Sequence, residues 1–107
     1  MAVKLLVLKS YEDVIADVKE AMSGERVIGY SLSNPFITRI NDEGSGNATS
    51  VTFYPYIPLS KQKDILIPFD WVVTMVDPHD EVANSYLEHV NGQTAGADKQ
   101  SNSDQQD

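Results

Sequence analysis

Residues 3–19 read Val-Lys-Leu-Leu-Val-Leu-Lys-Ser-Tyr-Glu-Asp-Val-Ile-Ala-Asp-Val-Lys, and this stretch decides the fold class. Its first part is apolar at consecutive positions, which is typical of a strand covered on both faces. From position 13 onward, apolar residues alternate with Asp and Lys, as in a half-buried strand. The three residues between the two parts are few enough for a hairpin connection. The chain is therefore expected to begin with an antiparallel β-hairpin.

Further short runs of β-branched and aromatic residues follow this hairpin. We predict a third strand at about 26–32 that resumes at 36–40 after an interruption, and a fourth strand at 50–59. The last strand material lies at 64–68 and 71–76. Every run is short and most are rich in Val, Ile and aromatic residues, which favours an all-β domain.

Prolines and glycines divide these strands. Because Pro35 cannot donate to a β-ladder, the Asn34-Pro35 pair predicts a bulge, a bend or an edge. Gly24 lies in a predicted loop at 21–25 and can adopt the positive φ of a tight reversal. Residues 41–47 form the strongest loop signal. Five short, bent strands with a long loop before the fourth predict a small barrel.

A single helix is predicted after the last strand. Asp77 can cap free backbone N–H groups and Pro78 suits the first helical position. Apolar residues between positions 82 and 90 recur at helical spacing, and this stripe is expected to cover an open end of the barrel, with docking to a partner protein as the alternative. Asn91-Gly92 is expected to end the helix. Residues 1–91 would then form the domain and residues 92–107 a disordered polar tail.

Composition excludes several classes of protein. The 107 residues carry 16 Asp and Glu against 8 Lys and Arg, a net charge of −8, and contain no cysteine. Disulfides, thiolate metal sites and a cysteine nucleophile are therefore excluded. Nucleic-acid binding draws much of its affinity from Lys and Arg, so a large nucleic-acid footprint is not expected. The apolar run at the start is too short for a signal peptide or membrane span, so we expect a cytoplasmic protein without a membrane partner.

No set of residues points to catalysis. His79 and His89 lie near opposite ends of the predicted helix, and neither has a ligand-type residue one turn away, so no metal site is expected. Carboxylate pairs such as Asp13 with Asp17 lie on a polar strand face rather than in a cleft that would separate their pKa values. We therefore expect a protein that is not an enzyme and that has no cofactor.

Two segments carry a resemblance to a known family. Residues 8–18, a strand ending in Leu-Lys, a turn and an alternating strand, resemble the first motif of the Sm-like (LSm) family. Residues 67–76 resemble its second motif, with Asp70 at the acidic or amide position. More narrowly, the runs 54–60 and 70–78 resemble the small Sm-like proteins of cyanobacterial T4-type phages, where the location would be the host-cell cytoplasm.

The resemblance implies a strongly bent, five-stranded Sm-like barrel of SH3-like type, here with a C-terminal helix, and a homo-oligomeric ring of five to seven copies. An open barrel also has two unlike edges, and pairing them between copies would close such a ring. The expected oligomer interface comprises Phe53, Tyr54, Tyr56, Trp71 and Val73, although about half of the aromatic residues are expected to fill the barrel core instead.

Departures from the family pattern bear on RNA binding. The family's turn glycine is Tyr11 here, a second glycine position is Ala16, and Pro68-Phe69 replaces its RNA-contacting Arg-Gly pair. The 21–25 loop lacks the Asp and Asn that surround a base in RNA-binding members, and the family helix precedes the first strand instead of following the last. The resemblance thus implies the fold and the ring more strongly than RNA binding.

Two hypotheses for function remain open. In the first, the ring binds single-stranded RNA weakly, with the phosphates held by Lys61, Lys63, Arg26 and Arg39 and the bases stacked on Phe69 or Tyr11. In the second, it is a structural or adaptor ring in a phage that binds other proteins and no nucleic acid.

Overall fold

The computed structural model describes residues 2–42 and 49–99, which form one curled antiparallel sheet and one helix. Residues 41 and 42 of the predicted 41–47 loop belong to a strand, and residues 43–48 and residues 100–107 of the predicted tail lie outside the described residues. The elements are β1 (Val3–Leu8), β2 (Asp13–Ser23), β3 (Arg26–Asp42), β4 (Thr49–Pro55), β5 (Asp64–Pro68), a 3₁₀ turn (Phe69–Trp71), β6 (Val72–Val76) and α1 (Asp80–Lys99).

The sheet has the strand order β4-β3-β2-β1-β6, and β5 also pairs with β3. The first half of β3 pairs with β5 from Gly29↔Pro68 to Ser33↔Asp64. Its second half pairs with β4, beginning at Phe36↔Pro55. β4 and β5 therefore lie end to end along the same edge of β3 and share one position in the sheet. The six strands thus occupy five positions. The predicted all-β class, a small barrel with a C-terminal helix, is confirmed.

A β-bulge bends β3 at Asn34-Pro35. Ile15 of β2 pairs with Phe36 and Asp17 with Ser33, so two residues of β3 lie opposite Ala16 alone. Asn34 has a φ of 51°, a left-handed conformation that Asn tolerates better than most residues. Pro35 has no N–H to leave unpaired. The expected interruption is thus a bulge inside one continuous strand.

The predicted fourth strand at 50–59 is wrong in its second half. β4 ends at Pro55, and residues 56–63 leave the sheet before the chain returns as β5. This 56–63 loop leaves at the bulge, where the edge of β3 is interrupted. The amide of Tyr56 donates to the carbonyl of Pro35 (3.1 Å), and the amide of Asn34 donates to the carbonyl of Lys63 (2.7 Å). Pro58 has no N–H with which to continue a ladder.

The β2–β3 connection is shorter than predicted. β2 continues to Ser23, which pairs with Arg26, so only two residues form the turn. Gly24 adopts the expected positive φ, 61°. The strand continues through most of the predicted 21–25 loop, with Ala21 opposite Gly29 and Met22 opposite Val27 across a register shift.

The inner core lies within the curl of the sheet. It comprises seven buried side chains from four strands: Leu6, Leu8, Val14, Ala16, Val18, Leu32 and Ile67. Ile65 of β5 and Met75 of β6 pack against it from opposite ends of the strand order. Only a sheet curled into a half-barrel brings those two ends to one cluster.

The helix packs on the outer face of the sheet rather than over an end of the barrel, so the predicted position is wrong. Ile15 points away from the inner core and joins Phe36 and Tyr86 in a second cluster. This cluster includes Val82 and Val90 of the predicted stripe. β1 is apolar at consecutive positions because one of its faces meets the inner core and the other meets α1.

Both predicted helix ends differ from the observed ones. The helix begins at Asp80, two residues after Pro78, and the amide of Ala83 donates to the carbonyl of His79 (2.9 Å). It also continues through Asn91-Gly92 to Lys99. A glycine inside a helix costs only about 1 kcal/mol relative to alanine, which is too little to end the helix by itself.

Candidate functional site

A hollow of about 470 Å³ lies beside the β1–β2 turn. The turn is closed by the amide of Tyr11, which donates to the carbonyl of Leu8 (2.8 Å), and by the amide of Leu8, which donates to the carbonyl of Glu12 (3.0 Å). The opposite wall is the second half of β3, after the bulge. The Tyr11 hollow, as we call it, is lined by Tyr11, Glu12, Asp13, Ile37, Thr38, Arg39 and Ile40.

Tyr11 has a strained backbone and an exposed side chain. Its φ is 69°, a conformation that costs an ordinary L-residue roughly 1–2 kcal/mol and a glycine almost nothing. The side chain is 91% exposed, so packing within the chain does not offset that cost. The hydrogen bonds that close the turn, and not packing of the side chain, hold Tyr11 in this conformation.

The walls of the hollow are partly ordered by polar contacts. The hydroxyl of Ser10 donates to a carboxylate oxygen of Glu12 (2.7 Å), and the hydroxyl of Thr38 donates to the carbonyl of Asp13 (3.5 Å). The guanidinium of Arg39 lies 5.8 Å from the ring centroid of Tyr54, within reach of a cation–π contact. Two carboxylates and one cation give the walls a net negative charge.

The residues predicted to bind RNA lie in three separate places. Tyr11 and Arg39 share the hollow. Arg26 and Phe69 lie at another end of the sheet, because the Gly29↔Pro68 pair places the start of β3 beside the 3₁₀ turn. Lys61 and Lys63 are exposed on the 56–63 loop. The described part of the chain therefore has no continuous basic track.

The aromatic residues predicted for the interface lie in three different surroundings. Tyr54 is 46% exposed on β4, and Trp71 is 39% exposed just before β6. Phe53 packs under α1, with its ring 6.3 Å from Tyr86. Tyr56 packs against the inner core, where burial and then the Glu12 carboxylate raise the pKa of its phenol.

The two open edges of the sheet carry exposed apolar side chains. On β6, Val73 is 63% and Val76 50% exposed. On β5, Leu66 is 63% exposed and lines a hollow of about 290 Å³ with Ile28 and Pro68. Sequence analysis named Val73 but missed Leu66. Strict alternation in β5 could have identified Leu66, because its neighbours Ile65 and Ile67 face the core.

The histidines lie in different surroundings. His89 packs between two aromatic rings, 4.9 Å from Phe36 and 5.4 Å from Phe53 between centroids. His79 precedes the helix and is exposed. Within residues 2–42 and 49–99, no three His, Cys, Asp or Glu side chains cluster in a way that could hold a metal ion.

Comparison with known proteins finds one family. The family model DUF6561, described as a family of unknown function, matches residues 1–91. The chain belongs to DUF6561. In this DUF6561 protein the match covers all six strands and the part of α1 that packs on the sheet. No curated protein matches the chain. The described helix is not long and apolar enough to cross a membrane.

Proposed function

We propose that this protein is a non-enzymatic, Sm-like subunit that assembles into a homo-oligomeric ring in the cytoplasm. In the assembly, the β6 edge of one copy pairs with the β4–β5 edge of the next. The observation that supports this is the pair of open edges at opposite ends of the strand order, each with exposed apolar side chains. Because the two edges are unlike, their contact is head-to-tail and closes into a ring when the rotation allows.

Edge pairing would remove two liabilities of a single copy. Unpaired N–H and C=O groups along β6 and β5 would find partners, which protects the edges from irregular aggregation. Leu66 and Val73, each 63% exposed, would leave water. Complete burial of such a side chain contributes about 1.5–3 kcal/mol, and this adds to the backbone hydrogen bonds that edge pairing would form.

Native mass spectrometry and sedimentation velocity test the ring. We expect five to seven copies per ring for the unmodified protein. Leu66→Glu and Val73→Glu should each dissociate the ring, because a carboxylate would be buried without a partner. Met22→Glu is the matched control, since Met22 is 49% exposed on β2, an inner strand of the sheet. Intact rings in both edge variants would refute this edge contact.

A second candidate function is weak binding of single-stranded RNA by the ring. The start of β3, which carries Arg26, runs beside the 3₁₀ turn, which carries Phe69, and this proximity supports a site with one phosphate contact and one stacking platform. The net charge of −8 opposes such binding, so any affinity should be low and should fall steeply with salt.

Fluorescence anisotropy against pooled single-stranded RNA tests this second function at low and moderate salt. Arg26→Ala and Phe69→Ala should abolish the signal, while Lys19→Ala, on the exposed face of β2, should retain it. A flat signal at low salt would leave the alternative, a structural or adaptor ring in a phage that binds other proteins. The exposed apolar tip of the 56–63 loop supports that alternative.

A further inference from the structure

The 56–63 loop presents apolar and basic groups on a chain that is otherwise acidic. Leu59 is 98% exposed and Ile57 46% exposed. Lys61 and Lys63 follow and are also exposed. A leucine held almost fully in water at the tip of a protruding loop is an unfavourable arrangement for a single copy.

The loop is held in shape by hydrogen bonds. The amide of Ser60 donates to the carbonyl of Ile57 (3.1 Å), and the amide of Gln62 donates to the hydroxyl of Ser60 (3.0 Å). Both ends are also tied to the β3 bulge at Asn34 and Pro35. A preorganised protrusion loses little conformational freedom when it docks.

The Tyr11 hollow has the complementary character. Tyr11, Ile37 and Ile40 supply apolar walls, and Ile40 is 75% exposed. Glu12 and Asp13 supply negative charge, and Arg39 is directed at Tyr54. A hollow of about 470 Å³ with apolar walls and an acidic rim fits an apolar side chain accompanied by lysines.

Within one copy the 56–63 loop lies close to the Tyr11 hollow but does not occupy it. The loop leaves β4 at Pro55, which pairs with Phe36, and the next residue of β3, Ile37, lines the hollow, so the two features are neighbours along β3. The exposure of Leu59 and Tyr11 shows that the loop leaves its own hollow open. A two-fold axis between two copies would let each loop enter the hollow of the other.

We propose that the Tyr11 hollow binds the 56–63 loop of a second copy, in a reciprocal two-fold contact in which Leu59 meets Tyr11 and Ile40 while Lys61 and Lys63 meet Glu12 and Asp13. This contact uses neither open edge of the sheet. It is therefore independent of the proposed ring, and with that ring it would join two rings face to face.

Charge reversal tests the contact by sedimentation velocity at low salt. The variants Lys61→Glu/Lys63→Glu and Glu12→Lys/Asp13→Lys should each have half the assembly mass of the unmodified protein, because loop and hollow would then carry like charges. An equimolar mixture should recover the full mass as one-to-one pairs, since each loop then faces an oppositely charged hollow. Lys19→Glu/Arg26→Glu, with the same change in net charge, should retain the full mass.

Three results would overturn the contact: unchanged mass in the Lys61→Glu/Lys63→Glu variant, no association in the mixture, or an unmodified protein without two-fold species. If the hollow variant fails to fold, Leu59→Ser replaces it, and unchanged mass in Leu59→Ser is then decisive. The ring is tested separately. Leu66→Glu removes only the edge contact, so this variant should still form two-fold pairs whether or not the unmodified protein forms rings.

Discussion

Tyr86 joins the helix to the most distorted part of the sheet. Its side chain is 1% exposed, and its hydroxyl lies within donating distance of the carbonyls of Ser33 (3.0 Å) and Asn34 (2.9 Å). Its ring meets Phe36 edge-on at 6.2 Å between centroids. One residue thus ties α1 to the bulge from which the 56–63 loop departs.

We expect Tyr86→Phe to lower the free energy of unfolding by about 1–2 kcal/mol, because the carbonyl groups lose their donor while the ring packing survives. Urea denaturation at neutral pH measures the change. Tyr54→Phe is the control and should change stability little, since Tyr54 is 46% exposed. Equal stability of Tyr86→Phe and the unmodified protein would contradict this role.

The same residue predicts a loss of stability in alkali. Burial raises the pKa of Tyr86 from the ordinary value of 10.0 to about 12, so folding favours the neutral phenol. The stability that the folded protein gains from keeping this phenol neutral is fully present below the ordinary pKa. It is lost as pH rises from about 10 toward about 12. Tyr86→Phe should flatten that part of the stability–pH curve, and an unchanged curve would contradict the assignment.

Among the elements, β3 determines the architecture because it pairs with three other strands. Its first half approaches β5 so closely that a Cβ on Gly29 would overlap the backbone carbonyl of Ile67. A glycine at this position is required by close packing, since only Gly24 among the described glycines has a positive φ.

Two glycine substitutions should therefore have opposite effects. Gly29→Ala should destabilise the fold by about 1–3 kcal/mol, because β5 must move away from β3. Gly92→Ala has open space around it in α1 and should stabilise the helix by up to about 1 kcal/mol. Thermal unfolding of the two variants measures whether each change raises or lowers stability. Unchanged stability in Gly29→Ala would show that β5 is loosely held.

For the whole molecule, the two proposed contacts differ in their response to salt. Edge pairing depends on backbone hydrogen bonds and apolar side chains such as Leu66, so salt should affect it little. The reciprocal loop contact depends on exposed charges, which salt screens over about 10 Å or less at physiological ionic strength and above. We expect the assembly mass to fall by half at high salt and then to remain constant. Dissociation to single copies would show that the edge contact also depends on charge.

Much of the fold could be predicted because it depends on local patterns. Alternation in β2 and the consecutive apolar positions of β1 predicted the first hairpin, and Asn34-Pro35 predicted the distortion in β3. The 3.6-residue stripe predicted which face of α1 is buried. The end of the fourth strand was missed because Tyr54, Tyr56 and Ile57 continue a strand-like pattern beyond Pro55.

The sequence by itself determined the all-β class, the order of the strands along the chain, the helix that follows the last strand and the absence of a cysteine-based site. Alternation and turn chemistry act over a few residues, so they can be recognised without coordinates. The tertiary structure alone decided that α1 packs on the outer face, that residues 56–63 leave the sheet at the bulge, and that Tyr11 and Arg39 share a hollow. Each of these depends on which strand edges meet when the sheet curls, and that curvature comes from packing between residues distant in sequence.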